Sequence, residues 1–292
     1  MVSDSSSDAV SATELREIAL EVALAAAAHI RRRRPELFGH EARDRAAAVA
    51  TKSSRTDPVT VADTEAEALI RDRLAALRPD DAILGEEEGG SIEVPGGVRW
   101  VVDPIDGTVN FLYGVPAYAV SIAAQIDGVS VAGAVVDVAR DVAYHAARGD
   151  GACCRSGAAA PGGEIPLSCN DIADLDVALV ATGFGYDAEL RRAQGAVVAD
   201  LLPRVRDIRR IGSAALDLCM VASGQADVHY EHGLSPWDWA AGSLIASEAG
   251  ARVMTPAADS RSVDRALTLV AAPGVFDQFA DALAGVNALG AL

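Results

Sequence analysis

The residues with the clearest chemical potential are the acids of the segment Asp103-Pro104-Ile105-Asp106-Gly107-Thr108. The preceding run Arg99-Trp100-Val101-Val102 predicts a buried strand that ends at Asp103. Two carboxylates at the end of one strand can face a single pocket, where Mg²⁺ takes oxygen ligands. Gly107 and Thr108 open a predicted helical turn whose amides suit a phosphate oxygen. Taken alone, the same pattern also fits a capped turn without a metal.

The acidity of the chain limits its partners. Its 292 residues carry a formal net charge of −17. Nucleic-acid backbones and anionic membranes are bound by clustered positive charge, so the composition argues against both. A phosphate can bind such a protein where bound divalent cations reverse the local field. The charge is therefore compatible with phosphate chemistry through a metal, and most of the other acids are expected at the solvated surface.

Cysteine usage and the N-terminal residues indicate a cytoplasmic protein. The apolar stretch after Ser11 contains Glu21 and is preceded by acids, unlike a secretory signal or a membrane span. No cysteine lies in a spacing typical of zinc sites. In a chain of this length we expect reduced thiols. These cysteines are Cys153, Cys154, Cys169 and Cys219.

Periodic apolar residues predict the elements that must position the acidic segment. One helix begins at Ser11, with a capping box to Glu14, and ends in the basic run 31–34 before Pro35. We interpret that run as solvated charge at a helix end, with a ligand-binding patch as the alternative. A second helix spans 60–77 and a strand 82–84. A meander covers 117–147, with a hairpin turn at Asp127-Gly128.

The second half of the chain alternates predicted strands and helices, which indicates an α/β fold. The strands are placed at 177–182 and 226–230, and the helices at 189–202, 213–222 and 237–249. A loop rich in Gly, Ala, Ser and Pro at 149–164 suggests a boundary. We therefore predict a flexible tail (1–10), an N-terminal α+β metal-binding lobe (11–150) and a C-terminal α/β substrate lobe (151–285).

The segment WVVDPIDGTVNF resembles the signature of the inositol monophosphatase family. Further matches follow in family order over about residues 12 to 280. They are Lys52-Ser53-Ser54 with Asp57 to Asp63, Gly85-Glu86-Glu87, Arg210 to Ala215, Tyr230-Glu231-His232-Gly233, and Trp237 to Gly242. The resemblance implies an alternating α-β-α-β-α sandwich, as in the wider superfamily that includes fructose bisphosphatase, and a homodimer.

The resemblance also implies a metal site of two or three Mg²⁺ ions. Glu86, Asp103 and the carbonyl of Ile105 would hold one ion. Asp103, Asp106 and Asp238 would hold a second, and a third would lie by Glu86, with Asp63 reaching it through water. Without the family, Asp238 is also explained as an acid favoured in the first turn of a helix.

Catalytic and substrate roles follow from the same resemblance. Thr108 and Asp63 would orient and deprotonate the attacking water, with Lys52 as an electrostatic aid or simply a solvated lysine. Glu231 would accept hydrogen bonds from ring hydroxyls. Gly107, Thr108 and Asp238 would contact the substrate, and Gly212, Ser213 and Ala214 would leave room for the ring.

The predicted activity is hydrolysis of inositol 1-phosphate with inhibition by lithium. Fructose 1,6-bisphosphatase, histidinol-phosphatase and 3′,5′-bisphosphate nucleotidase are the alternatives within the superfamily. A non-catalytic binding partner of other macromolecules is the alternative of another class. The presence of the expected carboxylates favours an enzyme acting on a small phosphorylated polyol.

Overall fold

Helices and sheets alternate in five layers through the protein. This computed structural model describes residues 10–39, 49–51, 58–156 and 163–292. The helices are α1 (Ala12–Phe38), α2 (Val61–Leu77), α3 (Thr108–Tyr113), α4 (Ala188–Leu201), α5 (Ala214–Ala222), α6 (Pro236–Glu248) and α7 (Pro273–Ala284). The strands are β1 (Val49–Thr51), β2 (Pro58–Thr60), β3 (Ala82–Gly85), β4 (Val98–Asp106), β5 (Ala119–Ile126), β6 (Val129–Asp137), β7 (Val142–Ala147), β8 (Ala152–Ser156), β9 (Ile165–Pro166), β10 (Leu179–Thr182), β11 (Asp207–Arg209), β12 (Val228–His232), β13 (Arg252–Met254) and β14 (Leu267–Ala271).

Two mixed sheets form the β layers. The large sheet has the order β3-β4-β5-β6-β7-β8-β9, with β3 parallel to β4 and the other pairs antiparallel. The small sheet has the order β11-β10-β12-β14-β13, with β10 parallel to both β11 and β12. The boundary predicted at residue 150 falls before β8 and β9, which belong to the large sheet. The division into two lobes stays a prediction.

Helices cover each face of these sheets, which confirms the predicted α-β-α-β-α sandwich. Helices α1 and α2 pack on the outer face of the large sheet, and α4 and α7 lie beyond the small sheet. Helices α5 and α6 fill the layer between the sheets. Helix α6 contacts β4 to β7 of the large sheet and β13 and β14 of the small one. Helix α5 also contacts strands of both sheets, so α5 and α6 together join the two sheets.

The first helix is longer than the sequence predicted and its arginines are differently placed. The capping box of Ser11 is confirmed, but the helix continues through Pro35 to Phe38. Arg33 forms a bidentate ion pair with Glu65 of α2, with Nε 2.6 Å from Oε2 and Nη2 2.8 Å from Oε1. Arg34 donates to the carbonyl of Phe111. Arg31 contacts Asp141 and the carbonyl of Val138. Our interpretation of solvated terminal charge was therefore wrong, because three of the four arginines bind neighbouring elements.

The predicted hairpin at Asp127-Gly128 is confirmed, and it joins β5 to β6. Both residues have positive φ, 50° and 79°, as a type I′ turn requires. The four cysteines carry free thiols, as expected. In the part of the chain that the structure describes, no helix is both long and apolar enough to cross a bilayer.

Candidate active site

A β-bulge places Asp103 and Asp106 on the same face of the large sheet. The register of β4 with β5 pairs Asp103 with Ser121 and Asp106 with Ala119, and shifts between them. Residues three apart on a regular strand point to opposite faces, and one extra residue brings them to the same face. Both carboxylates therefore face the layer of α6, where Ser121 donates to the carbonyl of Trp237.

Helix α6 supplies the third carboxylate of the cluster from its first turn. Asp238 closes a capping box with Ser235, whose backbone N–H lies 2.7 Å from the Asp238 Oδ2 atom. Carboxylate oxygens of Asp103, Asp106 and Asp238 all lie within 4.8 Å of one another. Two acids of β4 and one from the start of a helix distant in sequence thus form a single cluster.

Hydrogen bonds fix the orientation of the Asp106 carboxylate. The Ser213 hydroxyl donates to Asp106 Oδ2 at 2.6 Å, and the backbone N–H of Ala215 donates to the same atom at 2.7 Å. Ser213 and Ala215 lie at the start of α5. The predicted substrate segment therefore also holds a predicted metal ligand in place.

The electrostatics of the cluster favour a bound cation. Burial raises the pKa of Asp106 to about 6, against the lowering effect of its hydrogen bonds with Ser213 and Ala215. Burial also raises the pKa of Asp238 well above its ordinary value, and the nearby charges of Asp106 and Glu86 add to the rise. A divalent cation would relieve both the burial cost and the repulsion between these carboxylates.

The donors at this point fit Mg²⁺ in type. They are carboxylates, with Glu86 lining the same cleft as Asp106 and Asp238. Hard cations such as Mg²⁺ bind oxygen atoms of this kind and retain waters in the rest of their shell. The carbonyl oxygen of Ile105, the other predicted ligand, lies 3.1 Å from Thr108 Oγ1. A carbonyl oxygen has two lone pairs, so it has capacity for a cation.

Asp63 and Thr108 meet beside the cluster. Thr108 Oγ1 lies 3.0 Å from Asp63 Oδ1 and donates to it. The second oxygen of Asp63 accepts from the backbone N–H of Thr60 at 2.9 Å, within the capping box of α2. Asp63 is fully buried and Thr108 nearly so. Lys52, the third predicted catalytic residue, lies outside the described residues.

A cleft of about 670 Å³ brings most of the predicted site residues together. Gly107 requires its glycine there, because it has a φ of 97° and an added Cβ would lie 3.0 Å from the carbonyl oxygen of Ala117. Asn110 donates to the carbonyls of Ala117 and Ile211, at 2.7 and 3.0 Å. The predicted residues lining this cleft are Glu86, Asp106, Gly107, Gly212, Ser213, Ala214, Glu231 and Asp238.

Glu231 is a buried acid on the wall of the same cleft. Burial raises its pKa to about 8, with Arg210 lowering the value and Asp106 raising it. Gly183 allows this position, because a Cβ there would lie 2.1 Å from Glu231 Oε2. A carboxyl group buried beside a cleft is a suitable partner for hydroxyl groups of a ligand.

The cleft also contains residues to which the sequence reasoning gave no role, among them Gly183, Arg210 and Asp217. Asp217 lies one turn after Ser213 on α5, so helical spacing could have placed it on the same face. Burial raises its pKa well above the usual range, and the charge of Glu231 adds to the rise. Gly183 carried no local signal, because its role depends on a side chain contributed by another strand.

Comparison with known proteins agrees with this geometry. The model of the inositol monophosphatase family matches residues 11–285. The chain belongs to the inositol monophosphatase family. Membership supports a metal-dependent phosphatase and confirms the family that the motifs suggested.

Several relatives of known name cover most of the chain. Inositol-1-monophosphatase SuhB of Mycobacterium tuberculosis H37Rv is 53% identical over 282 residues, which are 94% of this chain and 95% of that protein. A protein named Nus factor SuhB from Haemophilus influenzae is 38% identical over 73% of this chain and 77% of its own length.

Solved structures of the family share the fold. Mycobacterium tuberculosis SuhB superposes with a TM-score of 0.78 at 47% identity, covering 96% of this chain and 99% of that one. Inositol monophosphatase from Anabaena sp. PCC 7120 gives 0.76 at 30% identity, covering 94% and 96%. These inositol monophosphatase family structures confirm the layered α/β fold.

Proposed function

We propose that this chain is a Mg²⁺-dependent phosphatase that hydrolyses inositol 1-phosphate to myo-inositol and phosphate. One observation carries the proposal: oxygens of Asp103, Asp106 and Asp238 gather within 4.8 Å of one another. Asp106 and Asp238 line a cleft that also contains Glu231. A cation site and an acceptor for polyol hydroxyls thus share one cleft.

The proposed metal ligands are Glu86, Asp103, the carbonyl of Ile105, Asp106 and Asp238. Bound Mg²⁺ would neutralise charge on the phosphoryl oxygens and make a water more acidic. Two or three ions per site are proposed from the family resemblance. The hydrogen bonds from Ser213 and Ala215 keep Asp106 in a fixed orientation before any ion arrives.

Thr108 and Asp63 provide the proposed route for the proton of the attacking water. Thr108 Oγ1 donates to Asp63, so its lone pair can accept a hydrogen bond from a water in the cleft. As the water oxygen bonds to phosphorus, its proton passes to Thr108 while the Thr108 proton passes to Asp63. The bond between phosphorus and the ester oxygen breaks, and the departing alkoxide takes a proton from solvent. Lys52 remains a proposed electrostatic aid.

The remaining proposed residues bind the substrate. The amides of Gly107 and Thr108 suit a phosphoryl oxygen, and Glu231 suits adjacent ring hydroxyls. Gly212, Ser213 and Ala214 contribute small groups to the cleft wall and leave space for a ring. The homodimer and the lithium inhibition are also proposed from the resemblance, and the cytoplasmic location from the cysteine usage and the N-terminal residues.

A second candidate function is suggested by the relatives named Nus factor SuhB. Their name favours a role in binding other macromolecules, alone or beside catalysis. The net charge of −17 disfavours direct contact with a nucleic-acid backbone. We therefore propose the enzyme as the primary function.

The test is phosphate release from a panel of substrates with Mg²⁺ or with chelator. Inositol 1-phosphate, adenosine 3′,5′-bisphosphate, fructose 1,6-bisphosphate and histidinol phosphate represent the branches of the superfamily. We expect the highest kcat/KM on inositol 1-phosphate with Mg²⁺, and no phosphate release from any substrate in chelator. Equal turnover with chelator, or no turnover on any substrate, would refute the enzyme proposal. Preference for another member of the panel would reassign the substrate.

A further inference from the structure

Helix α2 carries a fully buried glutamate, Glu67, one turn after Asp63. Its Oε2 atom accepts from the backbone N–H of Glu87 at 2.7 Å, and its Oε1 atom from that of Glu88 at 2.9 Å. Arg71, one turn further along the helix, donates to Oε1 at 2.9 Å. A buried carboxylate is thus satisfied by two backbone amides and one guanidinium group.

These contacts complete the hydrogen bonding of the turn that contains Glu86. The N–H of Gly85 donates to the carbonyl of Gly89 at 2.9 Å, and the N–H of Glu86 to that of Val102 at 3.2 Å. Arg71 donates to the Gly89 carbonyl at 2.5 Å. The backbone of the turn is therefore held by β4 on one side of Glu86 and by α2 on the other.

Gly85 permits the close approach of Glu67 to this turn. A Cβ at Gly85 would lie 2.2 Å from Glu67 Oε1 and 2.8 Å from Arg71 Nη2. No side chain larger than hydrogen fits there without moving the Glu67–Arg71 pair. The glycine at position 85 therefore allows the Glu67–Arg71 pair to pack directly against the turn.

The Glu86 side chain needs such support because it lies among like charges. It lines the cleft with Asp106 and Asp238, and its charge acts on both of those groups. Carboxylates that share one cleft repel one another until a cation is bound. If the amides of this turn were loosely held, repulsion could move Glu86 away from the cluster. The entropy cost of ordering the turn again would then oppose metal binding.

We propose that Glu67 is a positioning residue for Glu86, and that with Arg71 it holds the turn so that the Glu86 carboxylate is ready for a cation. Asp63 and Glu67 lie four residues apart on α2, so one helix fixes both Thr108 and the Glu86 turn. This inference rests on the proposed role of Glu86 as a metal ligand. It assigns to α2 a task in metal binding as well as in proton transfer.

The test compares Glu67→Gln with wild type by Mg²⁺ titration calorimetry and by amide hydrogen exchange. Glutamine presents one acceptor and one donor where two acceptors are needed, so the Glu87 and Glu88 amides should exchange faster in chelator. The dissociation constant for Mg²⁺ should rise about 10- to 100-fold, as for other groups that orient metal ligands. KM for inositol 1-phosphate at saturating Mg²⁺ should not change.

Glu65→Gln is the matched control, because Glu65 also lies on α2 and is paired with an arginine, but it faces α1. It should lower stability without altering the Mg²⁺ dissociation constant. Equal constants in Glu67→Gln and wild type would overturn the inference. If Glu67→Gln does not fold, Arg71→Gln is tested by the same measurement. The dissociation constant for Mg²⁺ should rise about 10-fold, the lower end of the range for groups that orient ligands, and an unchanged constant would contradict the inference.

Glu86→Gln separates this inference from the function on which it rests. If Glu86→Gln leaves Mg²⁺ binding unchanged, the proposed metal role of Glu86 fails first. If Glu86→Gln weakens binding and Glu67→Gln does not, the metal role stands and the positioning role is wrong.

Discussion

Thr108 donates its hydroxyl hydrogen to Asp63 over 3.0 Å, although the two residues are 45 positions apart in the chain. The bond joins the first residue of α3 to the first turn of α2. Because Thr60 binds the other Asp63 oxygen, the carboxylate is held from both sides. The pair is therefore oriented before a substrate binds.

Replacing Thr108 with valine tests the proton route. Valine keeps the shape but removes the hydroxyl, so kcat should fall about 10²- to 10⁴-fold, the usual contribution of a positioned proton-transfer group. Thr108→Ser should stay within a few-fold of wild type. Stopped assays at saturating Mg²⁺ measure kcat. Equal activity of the serine and valine variants would show that the hydroxyl has no such role.

Asp106→Asn should separate catalysis from folding. Removing one charge from the cluster should lower kcat by about 10²- to 10³-fold, the scale for loss of one electrostatic group in an active site. The Tm in chelator at pH 8 should stay level or rise, because burial already raises the pKa of Asp106 to about 6 and makes its charged form costly there. Near-normal turnover would refute its assignment as a ligand.

Glu231→Gln should change how stability depends on pH. In the folded protein burial raises the pKa of Glu231 from 4.5 to about 8. Between these values the unfolded chain has lost the proton and the folded protein keeps it, so this group lowers stability as pH rises. Glutamine cannot ionise, and the Tm of the variant relative to wild type should increase from pH 5 to pH 8 in chelator. A difference independent of pH would contradict the raised pKa.

Gly183→Ala tests the substrate role of Glu231 without changing any charged residue. The new methyl group would lie 2.1 Å from Glu231 Oε2, so the carboxyl group must move. We expect a higher KM for inositol 1-phosphate with a smaller change in kcat. Gly195→Ala is the control, since open space surrounds that position on α4, and alanine there should add about 0.5–1 kcal/mol of stability. An unchanged KM in Gly183→Ala would argue against Glu231 as a substrate ligand.

The sequence predicted the elements near the site well because their signals are local. The capping box of α1, the span of α2, the Asp127-Gly128 turn and the apolar strand before Asp103 all match the structure. Strands β11, β13 and β14 and helix α7 were not predicted. Strands β11 and β13 are three residues each, too short for a periodic pattern, and their places depend on pairing partners.

The order of the motifs along the chain predicted which residues form the site. The geometry of the site depends on contacts between distant segments, which no motif records. The bulge between Asp103 and Asp106 depends on pairing with β5, and the contact between Gly183 and Glu231 joins separate segments. From the sequence alone, Glu67 is an ordinary acid on a helix face. It is buried only because α2 packs against the end of β3 and the turn that contains Glu86.

The place of α6 between the sheets has a consequence for how the protein matures. Asp238 is synthesised long after Asp103 and Asp106, and reaches them only when α6 packs against the large sheet. A ribosome-bound chain that ends before α6 cannot assemble the cluster, even if its large sheet has formed. Binding of the proposed cation would therefore report that α6 has packed against the large sheet, an event that comes late in synthesis of the chain.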